Sequence, residues 1–164
     1  MLLAGRRDGF DPAYGIDAAI AGMARALGKT VLSLETPEAQ LALLTGEPRR
    51  GREMIDSTLT QLEQGTAQPT LRRLAALWAE SRLDELERYE EWCDCVKTED
   101  DRALRKLMVD DRNVALAERI DALHAQGRRV FAAVGSLHIG GSAGLPKLLA
   151  ARGFTVERVD LRPR

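Results

Sequence analysis

Apolar residues recur at intervals of three and four along most of the chain, a spacing typical of amphipathic helices. The first such stretch predicts a helix over residues 14–27 that is stopped by Gly28. A second helix is expected to follow an N-cap at Thr36, with Pro37 in its first turn, and to run to about Leu44.

The helical pattern is nearly continuous between residues 53 and 126. The longest helix predicted there begins at Thr98, whose hydroxyl can cap a first turn made acidic by the three residues that follow it. Gly127 ends this helix. A final helix is expected around Pro146, so the sequence predicts a thick helical layer.

Three short runs rich in β-branched residues interrupt the helices and predict β-strands. They are Thr30–Glu35, Val130–Val134 and Phe154–Val159. The order of elements predicts one α/β domain over residues 1–164, with a small mixed β-sheet of about three strands covered by the helices. So few strands would leave an open sheet edge that needs a partner.

The composition narrows the classes of function. The chain of 164 residues is 45% hydrophobic and 30% charged, with a formal net charge of −1, which is ordinary for a soluble globular protein. The absence of a basic excess argues against nucleic acid as a partner. No apolar run approaches the ~18 residues of a membrane span, and the first seven residues do not resemble a signal peptide.

Two cysteines, Cys93 and Cys95, form a C-x-C pair that differs from the C-x-x-C of redox and zinc motifs. A disulfide between residues so close in sequence is expected to be strained, and a disulfide between two protomers is an alternative. The interpretation favoured by the sequence is a pair of idle thiols.

His138 is the first candidate for chemistry. It follows Gly135 by three residues, where the predicted strand Val130–Val134 opens into a Gly-rich turn. A histidine there could be a metal ligand, a general base or a turn residue with satisfied hydrogen bonds. His124, on the polar side of the longest helix, is expected to have no catalytic role.

Glu35 and the dipeptide Arg112-Asn113 are the other candidates. Glu35 ends a predicted strand, where an acid can hold a metal or a reacting water, although stabilisation by the dipole of the next helix is the favoured interpretation. Arg112 can form a surface ion pair with Asp111 worth less than ~1 kcal/mol, and Asn113 is a mediocre helix former. The glycines after residue 134 can cradle an anion but match no nucleotide-binding motif.

Several segments together resemble the TraB/GumN family, which is related to the Tiki metalloproteases. The most specific is the G-x-x-H at Gly135–His138 with its apolar run, within residues 130–141, followed by residues 144–145 and 151–159. Three further pieces agree in order, and they are Tyr14–Asp17, Gly28–Leu41 and Arg112-Asn113.

The resemblance implies a metal-dependent, peptidase-like hydrolase. Carried onto this sequence, His138 and Glu35 would ligate a divalent metal, with manganese or cobalt favoured, while Arg112 and Asn113 would line or brace the site. Family members carry a second G-x-x-H near the N-terminus, but residues 1–13 contain no histidine. We therefore expect an N-terminally truncated form of the domain with a partial or degenerate site.

Two alternatives to the hydrolase remain open. One is a non-catalytic module that binds a peptide or small molecule on the same scaffold. The other is an interaction protein that forms a homodimer through the open sheet edge. The resemblance also implies that the full-length form is exported or associated with a membrane.

Overall fold

A computed structural model describes residues 4–45 and 48–159, which belong to two compact units, Met1–Leu86 and Glu87–Arg164. Helices and short 3₁₀ turns make up the regular structure of the described residues. In chain order the helices are α1 (Ile16–Ala26), α2 (Pro37–Thr45), α3 (Pro48–Glu63), α4 (Ala67–Ala79), α5 (Leu83–Glu87), α6 (Tyr89–Trp92), α7 (Glu99–Arg105), a π-helical turn (Lys106–Asp110), α8 (Asp111–Ala125) and α9 (Leu145–Ala150). The 3₁₀ turns are Ala4–Asp8, Pro12–Tyr14 and Ser136–His138.

Glycines end the helices where the sequence predicts. Gly28 follows α1 with φ of +65°, and Gly127 follows α8 with φ of +76°. Residues with a side chain rarely adopt this left-handed conformation, so each glycine allows the chain to leave its helix. The predicted helix ends at these two positions are confirmed.

Threonine side chains begin two helices, also as predicted. The Thr36 hydroxyl accepts the backbone N–H of Ala39 at 3.2 Å, at the start of α2. Thr98 accepts the N–H of Asp101 at 3.0 Å, and the Asp101 carboxylate accepts the N–H of Thr98 at 2.8 Å. This reciprocal capping box satisfies backbone donors that the first turn of α7 would otherwise leave without partners.

The predicted α/β fold is wrong, because the protein is mainly helical. Residues 4–45 and 48–159 contain no β-strand, and the predicted strands at 30–35, 130–134 and 154–159 are extended or irregular segments. A short apolar run is compatible with extended backbone, but a sheet also needs a hydrogen-bonded neighbour, and the run does not encode one. The described residues therefore form no sheet, and the homodimer stays a prediction.

The first unit is centred on α4. Ala67 and Leu77 of this helix are buried, and the 3₁₀ turn Ala4–Asp8 packs against it. Arg72 on α4 donates two hydrogen bonds to Oδ1 of Asp8, one from Nε at 2.9 Å. These two charge-assisted hydrogen bonds to one carboxylate oxygen fix the turn to the helix.

The core of the second unit lies along α8. Four apolar residues on one face of this helix are buried, and α9, whose Leu145 is also buried, packs against it. The π-helical turn joins α7 to α8 and buries Val109. The buried apolar residues of α8 are Leu116, Ala117, Ile120 and Leu123.

The two cysteines form a disulfide, so the interpretation as idle thiols is wrong. Cys93 and Cys95 are linked within the chain, and their Cα atoms are 5.1 Å apart. Within the described ranges, no helix combines the length and the apolar character that crossing a membrane requires.

Candidate functional site

The G-x-x-H motif forms a tight turn that holds His138 in place. The backbone N–H of His138 donates to the Gly135 carbonyl at 2.9 Å, and the N–H of Ile139 donates to the Ser136 carbonyl at 3.1 Å. His138 is only 9% exposed. The motif thus presents its histidine as a buried polar side chain, which requires hydrogen-bonding partners.

Asn113, the third residue of α8, supplies those partners and is itself completely buried. Its Nδ2 donates to the carbonyl of Ala143 at 2.8 Å and to the carbonyl of His138 at 3.2 Å. Its Oδ1 lies 2.6 Å from Nδ1 of His138. One amide therefore joins the helix, the histidine ring and the loop after the histidine.

The same contacts determine the tautomer of His138. Both Nδ2 hydrogens of Asn113 face carbonyl oxygens, which can only accept, so its Oδ1 is the atom beside the imidazole. Oδ1 is also only an acceptor, so Nδ1 of His138 carries the hydrogen and donates it. In the neutral ring Nε2 then carries the lone pair, which is the nitrogen that binds a metal or accepts a proton.

Two glycines of the loop after His138 are required by packing. A Cβ at Gly140 would lie 2.6 Å from Cγ of Glu87, and a Cβ at Gly144 would lie 2.4 Å from the carbonyl oxygen of Ile139. Both distances are too short for non-bonded atoms. These glycines let the loop pack closely, which explains their presence without a bound anion.

Arg105 is a charged residue beside this loop that the sequence did not single out. Its Nε lies 2.5 Å from Oε1 of Glu90, and Nη1 pairs with Asp110. Its Nη2 lies 3.8 Å from where a Cβ of Gly141 would be. The three charged groups come from α6, α7 and the π-helical turn, and no sequence spacing indicates that they meet.

The remaining sequence candidates are Arg112 and Glu35. Arg112 precedes Asn113 on α8 and donates from Nη1 to the carbonyl of Met108, in the π-helical turn, at 3.0 Å. Glu35 belongs to the first unit, where its Oε2 accepts from Nε2 of Gln40 at 3.3 Å. The structure thus brings Asn113 and His138 together, and a shared role for Glu35 or Arg112 with them stays a prediction.

A hydrogen bond between Nδ1 and an oxygen acceptor is the usual support for a histidine that binds metal through Nε2. His138 fits this role. Within residues 4–45 and 48–159, however, no group of three or more His, Cys, Asp or Glu side chains is placed to hold a metal ion. The pair could therefore supply at most one ligand and its support, and it does not form a complete metal site.

The likeness to known proteins extends over nearly the whole chain. The model of the TraB/PrgY/gumN family matches residues 1–158. Two curated relatives, both called "Uncharacterized protein YbaP", come from Escherichia coli (strain K12) and Shigella flexneri. Each is 29% identical over 138 residues, which cover 83% of this chain and 48% of the relative.

The chain spans about half the length of these curated relatives. No solved structure matches it. The matched range contains the G-x-x-H turn and Asn113. The chain belongs to the TraB/PrgY/gumN family.

Proposed function

We propose that the His138–Asn113 pair is the centre of a metal-dependent, peptidase-like hydrolase site. The observation that carries this proposal is the buried side-chain amide of Asn113. Its three hydrogen bonds all go to His138 and the loop that follows it. A buried imidazole held in one tautomer is preorganised for ligation or proton transfer. Family membership supports the same class of site.

His138 and Asn113 have distinct roles in this proposal. Nε2 of His138 takes the proton from a water that attacks a peptide carbonyl, and it is also the atom that would hold a divalent metal. Oδ1 of Asn113 accepts the Nδ1 hydrogen and keeps the ring from rotating. A positioned base of this kind contributes about 10²- to 10⁴-fold to a rate.

The rest of the proposed site follows the resemblance to the TraB/GumN family. Glu35 is the candidate second ligand, and Arg112 is the candidate cation for the oxyanion. Manganese or cobalt is the proposed metal. A bound divalent ion would lower the pKa of water and polarise the carbonyl. We assign no step to it, because no group of three or more His, Cys, Asp or Glu side chains among the described residues is placed to hold a metal ion.

The proposal is tested by thermal unfolding of the full chain in Mn²⁺, Co²⁺ and Zn²⁺. A metal that binds only the folded state stabilises it by RT ln(1 + [L]/Kd), or about 2.7 kcal/mol at a concentration of 100 Kd. We expect at least one of the ions to raise Tm and His138→Ala to abolish the rise. His124→Ala is the matched control, because His124 is the other histidine and its ring contacts Phe154 instead.

The outcomes of this experiment distinguish a metal-dependent hydrolase from a non-catalytic binding module. A rise in Tm that His138→Ala removes and His124→Ala retains supports the metal site, and hydrolysis of a fluorogenic peptide library by the metal-loaded chain then tests the reaction. A rise that survives in His138→Ala rules out His138 as a ligand. No rise with any ion contradicts the metal site and favours a non-catalytic module that binds a peptide or small molecule.

A further inference from the structure

The disulfide Cys93–Cys95 is a chemically active group that the His138 site does not use. It lies at the end of α6, with Asp94 between its two cysteines. Asp94 has φ of +55°, the left-handed conformation, which Asp adopts more readily than most residues. This backbone bend brings two sulfurs together across a single residue.

Each sulfur of the disulfide faces a hydrogen-bond donor. The backbone N–H of Cys95 donates to Sγ of Cys93 at 3.1 Å. The hydroxyl of Tyr89 lies 3.3 Å from Sγ of Cys95, and it is the donor because a disulfide sulfur carries no hydrogen. Hydrogen bonds of this kind are stronger when the acceptor is charged, so both donors favour the thiolates that form on reduction.

The surroundings keep the hydroxyl of Tyr89 available for this bond. Burial raises the pKa of Tyr89 above its ordinary value, so the phenol stays protonated in neutral solution. The ring of Tyr89 also packs edge-to-face on Trp92, with centroids 5.2 Å apart. The one carboxylate within the motif, Asp94, is paired with Lys97 at 2.9 Å, which reduces its repulsion of a thiolate.

The two sulfurs differ in their access to solvent. Cys93 is 4% exposed, whereas Cys95 is half-buried. An external thiol therefore reaches Cys95 more readily. The buried Cys93 is then the leaving sulfur, and the N–H of Cys95 is already placed to stabilise it as a thiolate.

A purely structural role for the disulfide has little physical support. A disulfide stabilises mainly by restricting the unfolded chain, and the restriction grows with the length of the closed loop. This disulfide closes a loop of only three residues, so it restricts the unfolded chain very little.

We propose that Cys93–Cys95 is a thiol–disulfide exchange site that reacts with low-molecular-weight thiols of the glutathione class. A thiolate attacks Sγ of Cys95, the Cys93–Cys95 bond breaks, and Cys93 departs as a thiolate. A second thiol attacks the external sulfur of the mixed disulfide and releases Cys95. The protein gains two electrons, each of its sulfurs ends as a thiol or, after loss of a proton to solvent, as a thiolate, and the two external thiols become one disulfide. In the opposite direction the dithiol reduces a small disulfide.

In the test, the full chain is equilibrated in a series of glutathione buffers that differ in their ratio of thiol to disulfide. The samples are then quenched with acid and alkylated, and intact mass measures the fractions of disulfide and dithiol. We expect reversible conversion between disulfide and dithiol within the range of these buffers. Tyr89→Phe removes one charge-assisted hydrogen bond from the reduced state, and we expect it to lower the equilibrium constant for reduction about tenfold. Tyr14→Phe is the matched control, because Tyr14 is the other tyrosine and is highly exposed.

Single cysteine variants test the asymmetry without depending on Tyr89. Cys93→Ser leaves the accessible sulfur and is expected to form a mixed disulfide with glutathione faster than Cys95→Ser, which leaves the buried one. A Cys93–Cys95 disulfide that stays oxidised throughout the glutathione series overturns the proposal. So do equal rates for the two cysteine variants, or a folded Tyr89→Phe chain that behaves like Tyr14→Phe.

Discussion

Helix α8 and the segment 129–134 lie close together in the chain and are both rich in apolar residues, yet they differ sharply in burial. Ala117 of α8 is fully buried, whereas Phe131 of the segment is 81% exposed. A helix satisfies its own backbone hydrogen bonds and needs only an apolar face to pack. An extended segment needs a hydrogen-bonded neighbour before its side chains are buried, and the described residues provide no strand for it.

The largest expected effect tests this difference directly. Leu116→Ala removes a buried side chain from α8, and we expect it to lower the free energy of unfolding by about 3 to 4 kcal/mol. Phe131→Ala removes a larger side chain, but we expect a loss of about 0.5 kcal/mol or less because the ring is already in water. Urea unfolding followed by circular dichroism measures both. Equal losses would show that Phe131 is buried in solution.

The next largest effect is expected at Asn113, in the first turn of α8. Asn113→Ala leaves the carbonyls of His138 and Ala143 and Nδ1 of His138 without their partner. We expect a loss of about 2 to 3 kcal/mol in the free energy of unfolding, since buried polar groups without partners are costly.

A second measurement on Asn113→Ala separates stability from positioning. The ¹⁵N chemical shifts of the imidazole distinguish the two neutral tautomers, and we expect the Nδ1–H form of His138 in the wild type and a mixture in the variant. The resonances of His124 serve as the internal control. An unchanged Nδ1–H population in a folded variant would contradict the role of Asn113.

A smaller effect is expected at the start of α7. Thr98→Ala removes the hydroxyl that caps Asp101, and we expect a loss of about 1 kcal/mol at neutral pH by urea unfolding. Thr58→Ala is a suitable control, because the Thr58 hydroxyl donates to the Met54 carbonyl inside α3 and caps no helix. Equal losses for the two variants would contradict the capping contribution.

The same capping box makes a small part of the stability depend on pH. The hydrogen bond from the backbone of Thr98 holds the pKa of Asp101 below its ordinary value of 3.8. Its contribution is therefore present above about pH 4 and is lost as the pH falls through the lowered pKa. Because Asp101 is largely in contact with solvent, we expect an effect under about 1 kcal/mol. Asp101→Asn should show a flatter dependence between pH 5 and pH 2.

Local signals in the sequence predicted the helices well. Gly28 and Gly127 end α1 and α8, and Thr36 and Thr98 cap α2 and α7. These features act within one turn of the chain, so the residues alone contain the information. The same logic placed His138 in a tight turn after Gly135.

Long-range pairing could not be predicted from those signals. The sequence indicated Asn113 and His138 separately, but their contact spans 25 residues and depends on how the loop returns to α8. The strand prediction failed for the related reason that a run such as Val130–Val134 does not encode a neighbour. The Cys93–Cys95 disulfide required the left-handed Asp94, which the C-x-C spacing does not reveal.

The π-helical turn Lys106–Asp110 precedes Asn113 and contains one residue more than a regular α-helical turn would need. The chain can therefore lose one residue there, but not gain one. A π-helical turn inserted in an α-helix takes up one extra residue, and each residue of an α-helix rotates the chain by about 100°. A deletion of one residue here would restore a regular α-helix and leave Asn113 directed at His138. The regular helix α8 contains no such extra residue, so an insertion or deletion inside it would change the direction of the side chains that follow. The contact between Asn113 and His138 therefore tolerates the loss of one residue in this turn.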